Sequence, residues 1–393
     1  MLKTGRMKRK VAYLIALLLV SSGVCFSQFK VQILLKDFPA KHAGDTIFVA
    51  GNFNAWEPGK EKYGFLKKGQ QTILQINGLD SGIHQFKFTR GNWQTVECLP
   101  DGSDIGNRQI NISSDTSFEY SVEAWKDDFA PVEKRHTASD RVRVLDTAFY
   151  LPQLKRHRRI WIYLPPGYSK SKKRYPVLYM QDGQNIFDEY TAGFGEWGVD
   201  ECLDSLIKKG KNPGIVVGID NGPRRLNEYN PYDFKSFGKG EGDKYVDFIA
   251  NTLKPYIDKH YRTLPSKQNS IIAGSSMGGL ISYYAMLKYP EIFGKAGIFS
   301  PAFWTAEEIK VLTASNASYL KGKLFFYMGG REGDKYIDEM KEVTDELGRS
   351  SPVLVYAVVD PEGSHNEEAW RKWFPEFYTW IMADGFNYVI KVE

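Results

Sequence analysis

Ser270-Ile271-Ile272-Ala273-Gly274-Ser275-Ser276-Met277-Gly278-Gly279, followed by the helix-forming run Leu280–Leu287, decides the fold of this 393-residue chain. A short apolar segment rich in β-branched residues enters a Gly-x-Ser-x-Gly turn, and a helix-forming segment leaves it. A buried strand that turns this sharply into a helix lifts the central serine hydroxyl above the edge of a sheet. The flanking glycines permit the close backbone approach. The bare pattern is common and carries little weight alone; its strand–turn–helix setting is what marks Ser276 as a candidate nucleophile.

Working outward, residues 141–393 alternate strand-like runs with longer helical ones, which predicts an α/β fold with a largely parallel sheet. A serine hydroxyl needs a base, and the base needs an orienting acid. In this kind of fold the chain order is nucleophile, acid, histidine, each on a loop after a strand. His365 is the one histidine downstream of Ser276, in the loop Asp360–Asn366 after the strand-like Val353–Val359. It is the expected general base. The strand-like Lys323–Met328 runs into Gly329-Gly330-Arg331-Glu332-Gly333-Asp334, so Glu332 or Asp334 is the acid. Glu332 is preferred because it lies nearer the strand end.

An oxyanion needs donors fixed before reaction. The backbone N–H of Met277 is one. The second is placed at Gly183 or Gln184, in the loop after the strand-like Tyr175–Met180, with Gln184 favoured. Asp182 braces that turn. Asp182, Arg225, Trp304 and Trp370 are candidate substrate-binding residues of the cleft, set against the plainer readings of ion pairing and packing.

Residues 28–124 show short strand-like runs punctuated by turn residues, which predicts an all-β sandwich of immunoglobulin-like type. Residues 125–140 read as a polar linker. Residues 1–27 carry Lys3, Arg6, Lys8, Arg9 and Lys10, then the apolar run Val11–Val20 and a weakly polar stretch to Ser27. That is the pattern of a secretory signal, too short in its apolar part to anchor in a bilayer. The chain has 52 Lys+Arg and 47 Asp+Glu. Cleavage after Ser27 would remove five cations and leave a formally neutral protein, so the basic balance points to export and not to nucleic acid. No membrane association is expected after cleavage. Cys98 and Cys202 are expected as free thiols more than as a disulfide. No metal-ligand spacing or nucleotide loop occurs, so neither metal nor cofactor is expected.

The stretches Tyr179–Asp188, Glu196–Asp200, Ile219–Tyr229, Gly274–Gly279 and Ser300–Trp304 resemble the esterase D family of α/β-hydrolases. That family includes feruloyl and acetylxylan esterases (carbohydrate esterase family 1) and enterobactin esterases. The resemblance implies an α/β hydrolase with serine esterase activity. Its acid is often an aspartate, which the Gly-Gly-x-Glu-Gly turn here departs from. Ile47–Pro58 and Phe86–Glu97 resemble the starch- and glycogen-binding modules of carbohydrate-binding family 48. On that module Trp56 and Trp93 offer ring faces to sugar, with Lys87, Asn92 and Arg90 as hydrogen-bonding partners; Trp56 reads equally as core. The expected partner is a plant polysaccharide or oligosaccharide ester, feruloylated or acetylated. A siderophore or other small ester is the alternative, and a non-catalytic glycan-binding protein the alternative of another class.

Overall fold

The computed structural model describes residues 28–68, 71–130, 133–383 and 389–392. The expected signal segment lies outside the described residues. Among them, no helix is long and apolar enough to cross a membrane.

The N-terminal module is all-β. Its strands are β1 (Gln28–Asp37), β2 (Phe48–Gly51), β3 (Leu66–Lys68), β4 (Gln71–Asp80), β5 (Gly82–Thr89), β6 (Glu97–Cys98), β7 (Arg108–Ile112), β8 (Thr116–Ser121) and β9 (Ala124–Trp125). One sheet runs β3-β4-β1-β8 and another β2-β5-β7, with β6 and β9 paired separately. Alternation along each strand decides which side chains are inside. Val31, Ile33 and Leu35 of β1, Leu74 and Ile76 of β4, Phe86 and Phe88 of β5, and Ile110 and Ile112 of β7 meet in one core.

That core also takes Trp125, fully buried on β9. The polar segment 125–140 is therefore not a free linker. Its first residues belong to the module, where Lys126 bonds Asp104 and Asp128 bonds His42. Its last residues are docked on the second domain: the Thr137 N–H donates to Asp188 (3.1 Å) and the Ser139 N–H to Asp200 (2.7 Å). One hydrophobic residue outweighs a polar average, because a single buried tryptophan removes a large apolar area from water.

The second domain carries β10 (Val142–Leu151), β11 (Arg156–Tyr163), β12 (Val177–Gln181), β13 (Ile215–Ile219), β14 (Ser270–Ser275), β15 (Lys295–Phe299), β16 (Lys323–Gly329), β17 (Leu354–Asp360) and β18 (Val389–Val392). They form one sheet in the order β10-β11-β13-β12-β14-β15-β16-β17-β18. β10 and β11 are antiparallel to their neighbours; from β13 to β18 every pairing is parallel. A parallel sheet must be covered on both faces. Ile272, Val177 and Tyr179 face a core shared with helices Met277–Lys288 and Asp334–Ser350. Ile271, Ala273, Leu178 and Met180 face the opposite core, shared with helices Val199–Lys208 and Glu367–Met382. The strand order reverses around β12 and β14, and ligands of open α/β sheets gather at the carboxyl ends of strands at such a point.

Candidate active site

Every expected catalytic residue lies just past the carboxyl end of a parallel strand: Gly183 and Gln184 after β12, Ser276 after β14, Glu332 after β16 and His365 after β17. Ser276 occupies the single position between β14 and its helix, with φ 58° and ψ −123°. A non-glycine residue holds that conformation only when its surroundings enforce it. Here the Ser276 N–H donates to the Phe299 carbonyl (2.9 Å), and the Ser276 carbonyl accepts from Ala302 (3.1 Å) and Leu280 (3.1 Å). Gly274 has no alternative, because a Cβ there would sit 2.8 Å from the Gly278 backbone.

Of the two candidate acids, Glu332 is the one placed against the histidine. Its Oε2 lies 2.6 Å from His365 Nδ1, and its Oε1 accepts from the Ser300 hydroxyl (2.6 Å) and the Gly329 N–H (2.9 Å). The carboxylate is buried at 4% exposure, whereas Asp334 is exposed at the start of the next helix. The close approach of the two loops depends on Gly329, whose Cβ would meet the Gly363 carbonyl oxygen at 2.5 Å. Surrounding protein pulls the His365 pKa down, but the charge of Glu332 and its hydrogen bond outweigh this, and the net displacement is upward. Of the causes that raise it, the Glu332 charge is the largest. Asn366 caps the helix that follows, accepting from the Ala369 N–H (3.0 Å), and so fixes the histidine loop.

Among the described residues the Ser276 hydroxyl makes no hydrogen bond to His365, and Nε2 of the ring has no protein partner. The two groups stand at one sheet edge, joined through Phe299 and Ser300. Such contacts commonly tighten only when substrate is bound.

Two sets of backbone donors open at this edge. The first N–H groups of a helix have no intrahelical acceptor, and Met277 opens Met277–Lys288. Gly183 and Gln184 open the turn Gly183–Asn185 in the same way, ahead of its Asn185-to-Asp182 bond (2.8 Å). Asp182 braces this turn: Arg225 meets both its oxygens (2.7 and 2.8 Å) and Asn221 a third time (2.6 Å). Asp182 and Arg225 are thus paired with each other, and Arg225 keeps 26% of its side-chain surface open.

Trp370 departs from expectation. It is not a pocket wall but is 4% exposed, with its indole N–H donating to Ser300 Oγ (2.9 Å) and its ring edge-on to His365 at 5.1 Å. Trp304 is half-buried against Phe234 (5.6 Å) and Phe237 (6.1 Å). Sequence reasoning missed Ser300, although the quoted Ser300–Trp304 stretch contained it, and Glu367. The latter directly follows the histidine loop; burial, with the Asp182 charge adding, pushes its carboxyl up to about 7.

On the module, Trp56 and Trp93 are half-buried with ring centroids 6.3 Å apart. Lys87 is half-buried, and Asn92 is exposed while its Oδ1 caps the Thr95 N–H (3.1 Å). Arg90 is not available to a sugar, because Asp45 and Asp127 hold its guanidinium and Trp125 lies beneath it. Cys98 and Cys202 are free. The one described group of carboxylates spaced for a metal ion is Glu196, Asp200 and Glu201, with oxygens within 4.8 Å of one another. It lies beside a separate cavity of about 680 Å³ lined by Gly198 and Cys202.

The family model described as "Putative esterase" matches residues 152–380. The protein YbbA of Bacillus subtilis, described as uncharacterized, is 32% identical over 185 residues, covering 45% of this chain and 70% of its own. An endo-1,4-beta-xylanase/feruloyl esterase of Xylanibacter ruminicola is 32% identical over 216 residues, which are 54% of this chain but only 27% of that protein. The enterobactin esterase of Shigella flexneri, solved in the presence of enterobactin, superposes with a TM-score of 0.51 at 14% identity. That match covers 86% of this chain and 87% of the other, and at such identity the likeness is one of fold.

Proposed function

The chain belongs to this esterase family of α/β hydrolases, and from that premise we propose that it is an exported serine carboxylesterase acting on feruloyl or acetyl esters of plant cell-wall polysaccharide, xylan above all. The observation that carries the catalytic reading is Glu332, buried, with both oxygens engaged and one of them on His365 Nδ1. That contact leaves Nε2 as the ring nitrogen for the serine proton. In the proposed cycle Ser276 attacks the ester carbonyl while His365 takes the hydroxyl proton and Glu332 stabilises the imidazolium. The N–H groups of Met277 and of Gly183 or Gln184 hold the oxyanion. His365 returns the proton to the departing sugar hydroxyl, then draws one from water as it attacks the acyl-enzyme.

The substrate class rests on the similarity to the xylanase/feruloyl esterase. It also fits the N-terminal module, which we read as a glycan-binding sandwich presenting Trp56 and Trp93, with Lys87 and Asn92 beside them. Export rests on the basic and apolar N-terminal stretch.

Turnover of methyl ferulate, acetylated xylan and ferric enterobactin, measured side by side, tests this. One of the first two is expected to be hydrolysed fastest, and Ser276→Ala to lower kcat by about 10⁴-fold or more. A fluorophosphonate should label the native chain and not the variant. Undiminished turnover by the variant would remove Ser276 as nucleophile; preference for ferric enterobactin would transfer the proposal to siderophore esters.

A further inference from the structure

The acid turn is not held by the hydrolase domain alone. β5 and β7 of the module pair antiparallel, with Gln85 directly opposite Gln109. Side chains alternate along both strands, so Phe86 and Ile110 enter the module core while Gln85 and Gln109 leave by the other face. Both glutamines end on one atom. The Gln109 side-chain N–H₂ donates to the main-chain carbonyl of Glu332 at 3.2 Å and the Gln85 N–H₂ to the same oxygen at 3.4 Å. Gln85 is itself oriented, its Oε1 accepting from Asn107 (3.2 Å). Around this point the fit is close. A Cβ on Gly333, which follows Glu332 with φ 114°, would lie 3.7 Å from Gln109 and 3.8 Å from Ile83 of the module. Three residues beyond Gly333, Tyr336 is buried, with Asn52 of the module within interaction range of its phenol.

We propose that Gln85 and Gln109 are positioning residues for catalysis: by fixing the Glu332 carbonyl they set the direction of its carboxylate toward His365, and so make the N-terminal module part of the catalytic apparatus. The proposal rests on the esterase reading above. The Glu332 carbonyl ends the short turn Gly330–Glu332, and the next residue, Gly333, has no Cβ to restrict its backbone. A glycine in this conformation is free to rotate unless something outside the turn restrains it. Two donors on one carbonyl supply that restraint. The consequence is that the module influences turnover of esters too small to reach any glycan-binding surface.

Full-length Gln85→Ala/Gln109→Ala, assayed on methyl ferulate across pH, tests this, with Gln75→Ala on the exposed face of the other sheet as control. The double variant is expected to lose roughly five- to thirtyfold in kcat with little change in KM, the effect of two neutral hydrogen bonds. Its acid limb should move to lower pH, since a looser Glu332 raises the His365 pKa less. A merely structural loss would reduce the active fraction without moving the limb. Gln109→Met keeps roughly the side-chain volume and removes the donor without adding a charge, so it should show the same displacement even if the double variant folds poorly. Wild-type kcat and an unmoved limb in these variants, with Ser276→Ala inactive, would overturn the brace and leave the esterase reading intact. Activity retained by Ser276→Ala would overturn that reading instead.

Discussion

Two groups of carboxylates on the hydrolase domain differ in how their oxygens are met: buried Glu332, and buried Glu196 and Asp200 beside exposed Glu201. Around Glu332, two oxygens receive three contacts, from Ser300, Gly329 and His365. Around Glu196, Asp200 and Glu201 the supply falls short. Thr137 serves one oxygen of Glu196 and Ser139 one of Asp200, while Glu196 Oε1 and Asp200 Oδ1 are buried without a partner. Partial loss of water around it, then the Asp200 charge, pushes the Glu201 carboxyl up to about 8 although the residue keeps an exposed edge, and burial raises Glu196. The contrast teaches that burial alone does not make a catalytic acid. A carboxylate whose oxygens are met by donors can raise a histidine's pKa, whereas the crowded carboxyls of Glu196 and Glu201 are themselves pushed upward.

The strongest way to break the comparison is to neutralise the satisfied carboxylate. Glu332→Gln keeps the shape but removes the charge, and kcat should fall about 10³- to 10⁴-fold. His365 must be neutral to accept the serine proton, so wild-type activity falls as pH drops through its raised pKa. In the variant that limb should lie at lower pH, and a pH–kcat/KM profile with an unmoved limb would separate Glu332 from the base. Removing one donor should do less. Ser300→Ala deletes a bond to a charged oxygen worth about 1.5–3 kcal/mol, which corresponds to roughly ten- to a hundredfold if it is all felt in the transition state. Unchanged kinetics would reduce Ser300 to packing.

The smallest effect is expected at the unsatisfied group, and in stability. A carboxyl whose folded pKa is raised binds its proton more tightly folded than unfolded, so stability falls as pH rises from the ordinary glutamate pKa through the folded one. Glu201→Gln should remove that slope. Its Tm should exceed wild type at pH 8, with the advantage shrinking toward pH 5, and methyl ferulate turnover unaffected. Equal Tm values across this range would show that the crowding of charges there costs nothing.

The legible parts of the site were those written in local pattern. Ser276 is announced by a strand, glycines and a helix within ten residues. His365 follows from chain order, and Glu332 from its glycine-rich turn at a strand end. The Ser300–Trp370 support was not legible as such, because a tryptophan reads the same whether its indole N–H faces a ligand or a buried hydroxyl. Arg225 likewise reads the same from sequence whether or not a carboxylate such as Asp182 lies against it. The polar segment 125–140 concealed Trp125, since composition averages over a window and burial acts on single side chains.

Sequence alone therefore determined the α/β class of the second domain, the order of the candidate groups and the turns that carry them, because these follow from backbone preferences and periodicity over a few residues. Only the tertiary structure decided what each polar group meets. Gln109 reaches the Glu332 carbonyl across 223 positions, and no local preference encodes such a meeting. It comes from the packing of two separately formed cores, which brings distant side chains within the three ångströms over which a hydrogen bond acts.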